Sequence, residues 1–128
     1  MSFTVDSIDH VEVFVQDIEA GIRWYSDVLG LKEVARWDPH PVLIGAGGTK
    51  LALFKAKAEP SRDEHQSIGE GPNWHLVAWR TTEEGFEAAQ RHLAKCGVTF
   101  SGPIDHGSAR SIYFSDPDGH RLEITYYL

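Results

Sequence analysis

The apolar residues of this chain recur at every second position in some stretches and at helical spacing in others, which predicts an α+β fold. Within residues 7–15, valine occupies every second position from Val11 onward. This alternation predicts a strand that carries His10, Glu12 and Phe14 on the face opposite the valines.

A helix is predicted directly after this strand. Asp17 suits its N-cap, and Gly30 suits the position after its last turn, where glycine tolerates a left-handed conformation. The predicted apolar stripe consists of Ile18, Ile22, Tyr25 and Leu29. Three short strands are predicted next, at 32–37, 41–44 and 50–55, with a glycine-rich turn at 45–48.

The second half of the chain repeats this order of elements. A strand at 73–80 precedes a helix that is predicted to begin at a capping box, Thr81 with Glu84, and to end at Gly97. Cys96 lies on the apolar stripe of that helix and is interpreted as a small core residue. The remaining strands are predicted at 98–100, 110–115 and 121–127.

The repeat can be aligned residue by residue. Placing His10 on His75 superimposes the two helices, and placing Gly48 on Gly119 superimposes the last strands of the two halves. We therefore predict one domain over residues 1–128, built from two βαβββ modules that form a cupped eight-stranded mixed sheet with the helices outside. The predicted parts are module one at 5–57, module two at 73–127 and a linker loop at 58–72.

The last strand contains the residue that most needs an explanation. It follows an Asp-Pro-Asp-Gly turn and places Leu122, Ile124 and Tyr126 on one face, with Glu123 on the other. A carboxylate in the middle of a half-buried strand is rarely tolerated unless it is paired or bound to a metal. By strand parity His10, His75 and Glu123 are expected on one concave face, where small-molecule sites form.

Composition excludes several classes of function. The net charge of −7 argues against nucleic-acid binding, and no apolar run reaches membrane-spanning length. One cysteine excludes an internal disulfide, and the chain opens without a signal-peptide pattern, so a cytoplasmic protein is expected. The expected partner is a small-molecule substrate, with neither nucleic acid nor membrane.

Four stretches resemble the vicinal oxygen chelate superfamily, which includes glyoxalases, extradiol dioxygenases, and fosfomycin- and bleomycin-resistance proteins. They are Ile8-Asp-His-Val11, Trp24-Tyr-Ser-Asp-Val-Leu-Gly-Leu31, Trp74-His-Leu76 and Ser111-Ile-Tyr-Phe-Ser-Asp-Pro-Asp-Gly-His-Arg-Leu-Glu-Ile124. The resemblance implies metal ligands at His10, His75 and Glu123. A fourth family position falls on Ala52, which cannot bind a metal. Two histidines and one carboxylate favour Fe(II) or Mn(II), with Zn(II) or Ni(II) as alternatives.

The resemblance also suggests catalytic and substrate-binding residues. Tyr113 shares the expected face with Glu123 and would hydrogen-bond substrate, although a solvated strand tyrosine fits equally well. His65 lies near the place of an acid–base histidine in extradiol dioxygenases, with a different spacing that favours a surface histidine. The apolar lining is predicted from residues that a core role would also explain: Phe14, Phe54, Val77 and Trp79. His106 lies in the loop before the Tyr113 strand, and His40 is expected to be solvated.

The favoured function is a divalent-metal-dependent, extradiol-dioxygenase-like ring cleavage of a molecule with vicinal oxygens. The alternatives are a glyoxalase- or epimerase-like lyase or isomerase, and a non-enzymatic drug-binding resistance protein. The fosfomycin branch is disfavoured because no basic residue follows Glu123. The resemblance and the sheet edges of so short a chain together predict a homodimer.

Overall fold

The computed structural model describes residues 2–57 and 74–128, and the chain divides into two compact units, Met1–Glu59 and Pro60–Leu128. The first unit contains β1 (Val11–Val15), α1 (Ile18–Leu29), β2 (Lys32–Arg36), β3 (Val42–Ala46) and β4 (Thr49–Lys55). The second contains β5 (Val77–Arg80), α2 (Glu83–Lys95), β6 (Ser101–Asp105), β7 (Ala109–Ser115) and β8 (Arg121–Tyr127).

Each unit folds its strands into one four-stranded mixed sheet. The strand orders are β1-β4-β3-β2 in the first unit and β5-β8-β7-β6 in the second. In both, the first strand pairs in parallel with the last, and the remaining pairs are antiparallel. The predicted α+β class and the repeated βαβββ order are therefore confirmed.

The helix of the first unit begins and ends where the sequence predicts. The side chain of Asp17 accepts a hydrogen bond from the amide of Ala20, and Gly30 adopts a φ of 70° just after the last turn. The predicted start of α2 is wrong by one residue. Thr82, not Thr81, is the N-cap, and its hydroxyl accepts from the amide of Gly85, so Glu84 does not occupy the third helical position that a capping box requires.

Each helix packs on one face of its own sheet. In the first unit the α1 glycine Gly21 lies against Val15 and Leu53. In the second, Phe86 of α2 contacts the ring of Tyr126 at 4.9 Å between centroids. Cys96 is exposed, contrary to the expected core position, because it caps the end of α2 beyond Leu93, the last buried residue of the helix.

The boundaries of several strands differ from those predicted. The first strand of each unit begins at residue 11 or 77 rather than at 7 or 73. The sixth strand lies at 101–105 instead of 98–100, and β3 includes Gly45 and Ala46, which pair with Lys50 and Thr49 of β4. Neither helix in the described ranges is long and apolar enough to cross a lipid bilayer.

Candidate functional site

The helix-free face of the first sheet carries a carboxylate beside two aromatic rings. Strands β1 and β4 pair so that Glu12 lies opposite Ala52 and Phe14 lies opposite Phe54. Residues paired in this way point to the same face, and this face is opposite the Val15 and Leu53 side chains that contact α1. The centroids of the Phe14 and Phe54 rings are 6.3 Å apart. The predicted shared face of these two phenylalanines is present within the first unit.

His40 also belongs to this aromatic group. Its ring meets the Phe54 ring edge-on, with 5.3 Å between centroids. Its Nδ1 atom is buried and forms no hydrogen bond with any of the described residues. The expectation that His40 is solvated is therefore wrong for this ring nitrogen, while the residue as a whole is half-buried. The sequence around residue 40 has no strand periodicity from which the contact with Phe54 could be predicted.

His10, the residue immediately before β1, is held between two carboxylates. Its Nδ1 is 2.8 Å from Oδ2 of Asp9, and its Nε2 is 3.1 Å from Oε2 of Glu12. Lys50 fixes Asp9 from the other side, with Nζ 3.2 Å from Oδ1. The hydrogen bond to Asp9, followed by that to Glu12, raises the pKa of the His10 imidazole because both stabilise its charged form.

The helix-free face of the second sheet is polar around Glu123. Ser111 donates a hydrogen bond to Oε2 of Glu123 at 2.6 Å, and its Oγ lies 2.9 Å from Oγ1 of Thr125. Tyr113 of β7 is paired with Glu123 of β8, so the two side chains share this face. Glu123 is half-buried and is paired through its hydrogen bond from Ser111, as expected for a carboxylate in a half-buried strand.

Tyr113 is hydrogen-bonded to a histidine from the preceding loop. Its hydroxyl oxygen lies 2.8 Å from Nε2 of His106, and the two rings are nearly perpendicular. Burial raises the pKa of the Tyr113 hydroxyl, and the nearby Glu123 carboxylate adds to the increase by disfavouring a phenolate. Tyr113 therefore remains a protonated hydrogen-bond donor at neutral pH.

The expected face of β5 is wrong. Val77 pairs with Leu122 and Trp79 pairs with Ile124, so both lie on the face that packs against α2 rather than beside Glu123. The repeat alignment explains the error. His10 and His75 each precede a helix N-cap by seven residues, but Val11 and Val77 occupy equivalent places in the sheets. A shift of one residue in register moves every side chain of a strand to the other face.

His75 is not part of a strand in this structure. It is exposed and lies two residues before β5. Within each unit, the described residues contain no group of three histidine, cysteine or acidic side chains close enough to hold a metal. His65 and the linker at 58–72 lie outside the described residues. The ligand set His10, His75 and Glu123 thus stays a prediction.

Two arginines on the helix-free face of the second sheet were missed. Arg80 pairs with Thr125 and Arg121 pairs with Ser115, which sets both guanidinium groups on the face of Glu123. Arg80 also stacks on the Tyr127 ring, 4.7 Å from its centroid. The argument against a phosphonate substrate considered only residues after Glu123, whereas Arg121 precedes it by two residues and could have been found by strand parity.

Comparison with known proteins agrees with this fold. The family model of the Glyoxalase/Bleomycin resistance protein/Dioxygenase superfamily matches residues 7–124. The metallothiol transferase FosB of Staphylococcus saprophyticus is 32% identical over 122 residues, which cover 94% of this chain and 76% of that protein. The glutathione transferase FosA of Serratia marcescens is 28% identical over 120 residues, covering 94% and 80%.

A solved structure gives the same picture at the level of the fold. A glyoxalase/dioxygenase from Nostoc punctiforme superimposes with a TM-score of 0.78 at 22% identity, covering 98% of this chain and 99% of that one. The chain therefore belongs to the Glyoxalase/Bleomycin resistance protein/Dioxygenase superfamily, the vicinal oxygen chelate superfamily whose motifs it carries.

Proposed function

We propose that the protein is a divalent-metal-dependent enzyme that transfers a thiol to a small, oxygen-rich electrophile. The observation that carries this proposal is the similarity, over 94% of the chain, to two bacterial enzymes that are named as thiol or glutathione transferases. Arg121 on the helix-free face of the second sheet supports it, because a guanidinium group beside Glu123 suits an anionic substrate.

Two of the proposed ligands have the supporting hydrogen bonds that are typical of metal ligands. With its proton on Nδ1, His10 donates to Asp9, the arrangement that leaves Nε2 as the ligand in many metal sites. Ser111 orients the Glu123 carboxylate in the same supporting manner. We assign His10 and Glu123 as ligands and His75 as the third. Fe(II) or Mn(II) is favoured, and Zn(II) or Ni(II) is the alternative.

In the proposed reaction, Tyr113 and the two phenylalanines have separate roles. When bound, the cation supplies Lewis acidity that polarises a substrate oxygen. The thiol sulfur bonds to carbon while the carbon–oxygen bond of a strained ring breaks, and the released oxygen takes up the proton that the thiol gives up. Tyr113 donates a hydrogen bond to that oxygen, and Phe14 and Phe54 line the substrate-binding face.

The test begins with metal analysis of protein purified without an affinity tag. Protein loaded with Mn(II) is then incubated with glutathione or cysteine and with fosfomycin, an epoxide that carries a phosphonate. We expect the mass spectrum to show the covalent product of the thiol and fosfomycin. This product should not form when a chelator is present during the incubation. Tyr113→Phe should lower turnover by about 100-fold with the metal content unchanged, since a hydroxyl that donates in the reaction typically contributes 10²- to 10⁴-fold. Failure to form any adduct with metal-loaded protein would overturn thiol transfer.

Ring cleavage is the second candidate, and the pairing of Tyr113 with His106 favours it. That pair could accept and return a proton from a bound catechol hydroxyl, on the same face as Glu123. Oxygen consumption by the Fe(II) or Mn(II) form with a catechol panel would select this reaction over thiol transfer. Isomerisation of a 2-oxoaldehyde adduct would instead indicate the glyoxalase-like alternative, and tight metal-free ligand binding a drug-binding protein.

We also propose that the protein is a homodimer. The outer strands β2 and β6 each leave one edge unpaired within their sheets, and exposed edges favour association. Sedimentation equilibrium at micromolar concentration should give twice the 14.3 kDa mass of the chain. A monomer at that concentration would refute this assignment.

A further inference from the structure

We propose that Glu12 is a direct ligand of the divalent cation bound by His10, and that it supplies the carboxylate that position 52 lacks. The inference rests on the proposed metal dependence of the protein. It adds a specific residue to the site, because neither the family resemblance nor the predicted ligand set includes Glu12.

The sheet register places Glu12 where the missing carboxylate would be. Glu12 of β1 lies directly opposite Ala52 of β4, so both side chains project from the same face at the same height. In the second unit the equivalent pair is Ala78 opposite Glu123. Each unit therefore has one glutamate and one alanine at this pair of positions, and the two residue types have exchanged strands.

The distance between His10 and Glu12 matches that of two ligands on one ion. Two atoms that each lie about 2.1 Å from a metal, at right angles to each other, are about 3.0 Å apart. The Nε2 atom of His10 and the Oε2 atom of Glu12 are 3.1 Å apart. A cation bound by both atoms would replace the hydrogen bond that now joins the two side chains.

The surroundings leave these two atoms as the available pair. Asp9 occupies the other ring nitrogen of His10 at 2.8 Å, which directs Nε2 toward Glu12. Lys50 pairs with Asp9 and not with Glu12, so its positive charge is held at the far side of the imidazole. The Glu12 side chain is 56% exposed, which leaves an incoming hydrated ion access to it.

The experiment measures metal binding without using activity. Mn(II) affinity is determined by isothermal titration for the full chain, for Glu12→Gln and for the control Glu87→Gln, whose carboxylate lies exposed on α2. Gln keeps the shape of the side chain and its ability to accept a hydrogen bond from His10. The visible absorption spectrum of the Co(II) form reports the number and type of ligands.

We expect Glu12→Gln to weaken Mn(II) binding by about 10- to 100-fold and to change the Co(II) spectrum, with the control unaffected. Unchanged affinity in Glu12→Gln would overturn the inference and leave the proposed metal dependence intact. Weaker binding with an unchanged Co(II) spectrum would also overturn it, since Glu12 would then act from outside the coordination sphere. If the unmodified chain binds neither ion, the proposed metal dependence fails and the inference falls with it.

Discussion

The two units share one topology and differ in what they place on the helix-free face. Both carry a glutamate and an alanine at equivalent paired positions, but the glutamate is on the first strand in one unit, at Glu12, and on the last strand in the other, at Glu123. Adjacent strands bring paired residues to the same height, so a carboxylate can be kept at one place on a face while its strand changes. Position in the sheet therefore shows how the two carboxylates correspond better than position in the repeat does.

The neighbours of the two carboxylates differ in chemistry. Glu12 lies beside His10 and near the phenylalanine pair Phe14 and Phe54, whereas Glu123 is held by hydroxyl groups, with Ser111 at 2.6 Å. A carboxylate that accepts a hydrogen bond from a buried serine is fixed in orientation. Glu12, which is exposed and paired only through an imidazole in the described contacts, can reorient more easily.

The largest expected effect is the loss of stability when a buried leucine is shortened in either unit. It tests whether the two sheets pack equally well against their helices. Leu51 and Leu122 occupy matching positions, because Leu51 precedes Ala52, the residue opposite Glu12, and Leu122 precedes Glu123; each is 1% exposed. Replacing either with alanine removes buried methyl groups and leaves a cavity, so we expect a loss of about 2–5 kcal/mol of unfolding free energy in each case. Urea denaturation followed by circular dichroism measures both. If the two losses differ by more than about 3 kcal/mol, the two units are not packed equivalently against their helices.

The second effect concerns the better-fixed carboxylate. Glu123→Gln removes the negative charge that balances the cation, and we expect divalent-metal affinity to fall by more than about 100-fold, exceeding the loss for Glu12→Gln. Turnover should be abolished with any substrate. Isothermal titration with Mn(II) ranks the two variants. An equal or larger loss of affinity in Glu12→Gln would contradict the expectation that Glu123 contributes more to metal binding than Glu12.

Much of this architecture could be predicted from the sequence. Asp17 and Gly30 at the ends of α1, and the Asp-Pro-Asp-Gly turn, in which Gly119 adopts a φ of 92°, are local signals, and each was read correctly. The faces of Val77 and Trp79 could not be read in this way. Their orientation depends on how β5 pairs with β8, a contact between distant parts of the chain, and the spacing to the helix N-cap gave the wrong register.

The candidate site was predicted less completely for the same reason. The shared face of Glu123 and Tyr113 was predicted because the alternation of side chains along a strand is a local property. The contacts of Tyr113 with His106, and of His40 with Phe54, are between a loop and a strand, where side-chain periodicity gives no information. Glu12 was noticed in the sequence, but its position opposite Ala52 required the β1–β4 pairing.

A smaller effect compares the two helix starts. Asp17 and Thr82 each accept a hydrogen bond from a backbone amide in the first turn, at 3.0 Å in both helices. Substitution of either by alanine leaves that amide without its partner and should cost about 1 kcal/mol of stability. Thermal denaturation of Asp17→Ala and Thr82→Ala checks the two values. As a control, Thr81→Ala should have a smaller effect, because Thr81 is not the N-cap; an effect as large as that of Thr82→Ala would contradict the observed cap.

The smallest expected effect is the proton equilibrium of His10 in metal-free protein. Asp9 and, to a lesser extent, Glu12 stabilise the imidazolium, so the pKa of His10 should lie above its ordinary value of 6.5. A raised pKa in the folded state means that this contribution to stability is fully present below pH 6.5 and is lost as the pH rises through the folded-state pKa. An NMR titration of the His10 ring protons, after treatment with a chelator, measures the midpoint. Asp9→Asn should lower that midpoint more than Glu12→Gln does. The opposite order would show that Glu12, and not Asp9, is the stronger partner of this imidazole.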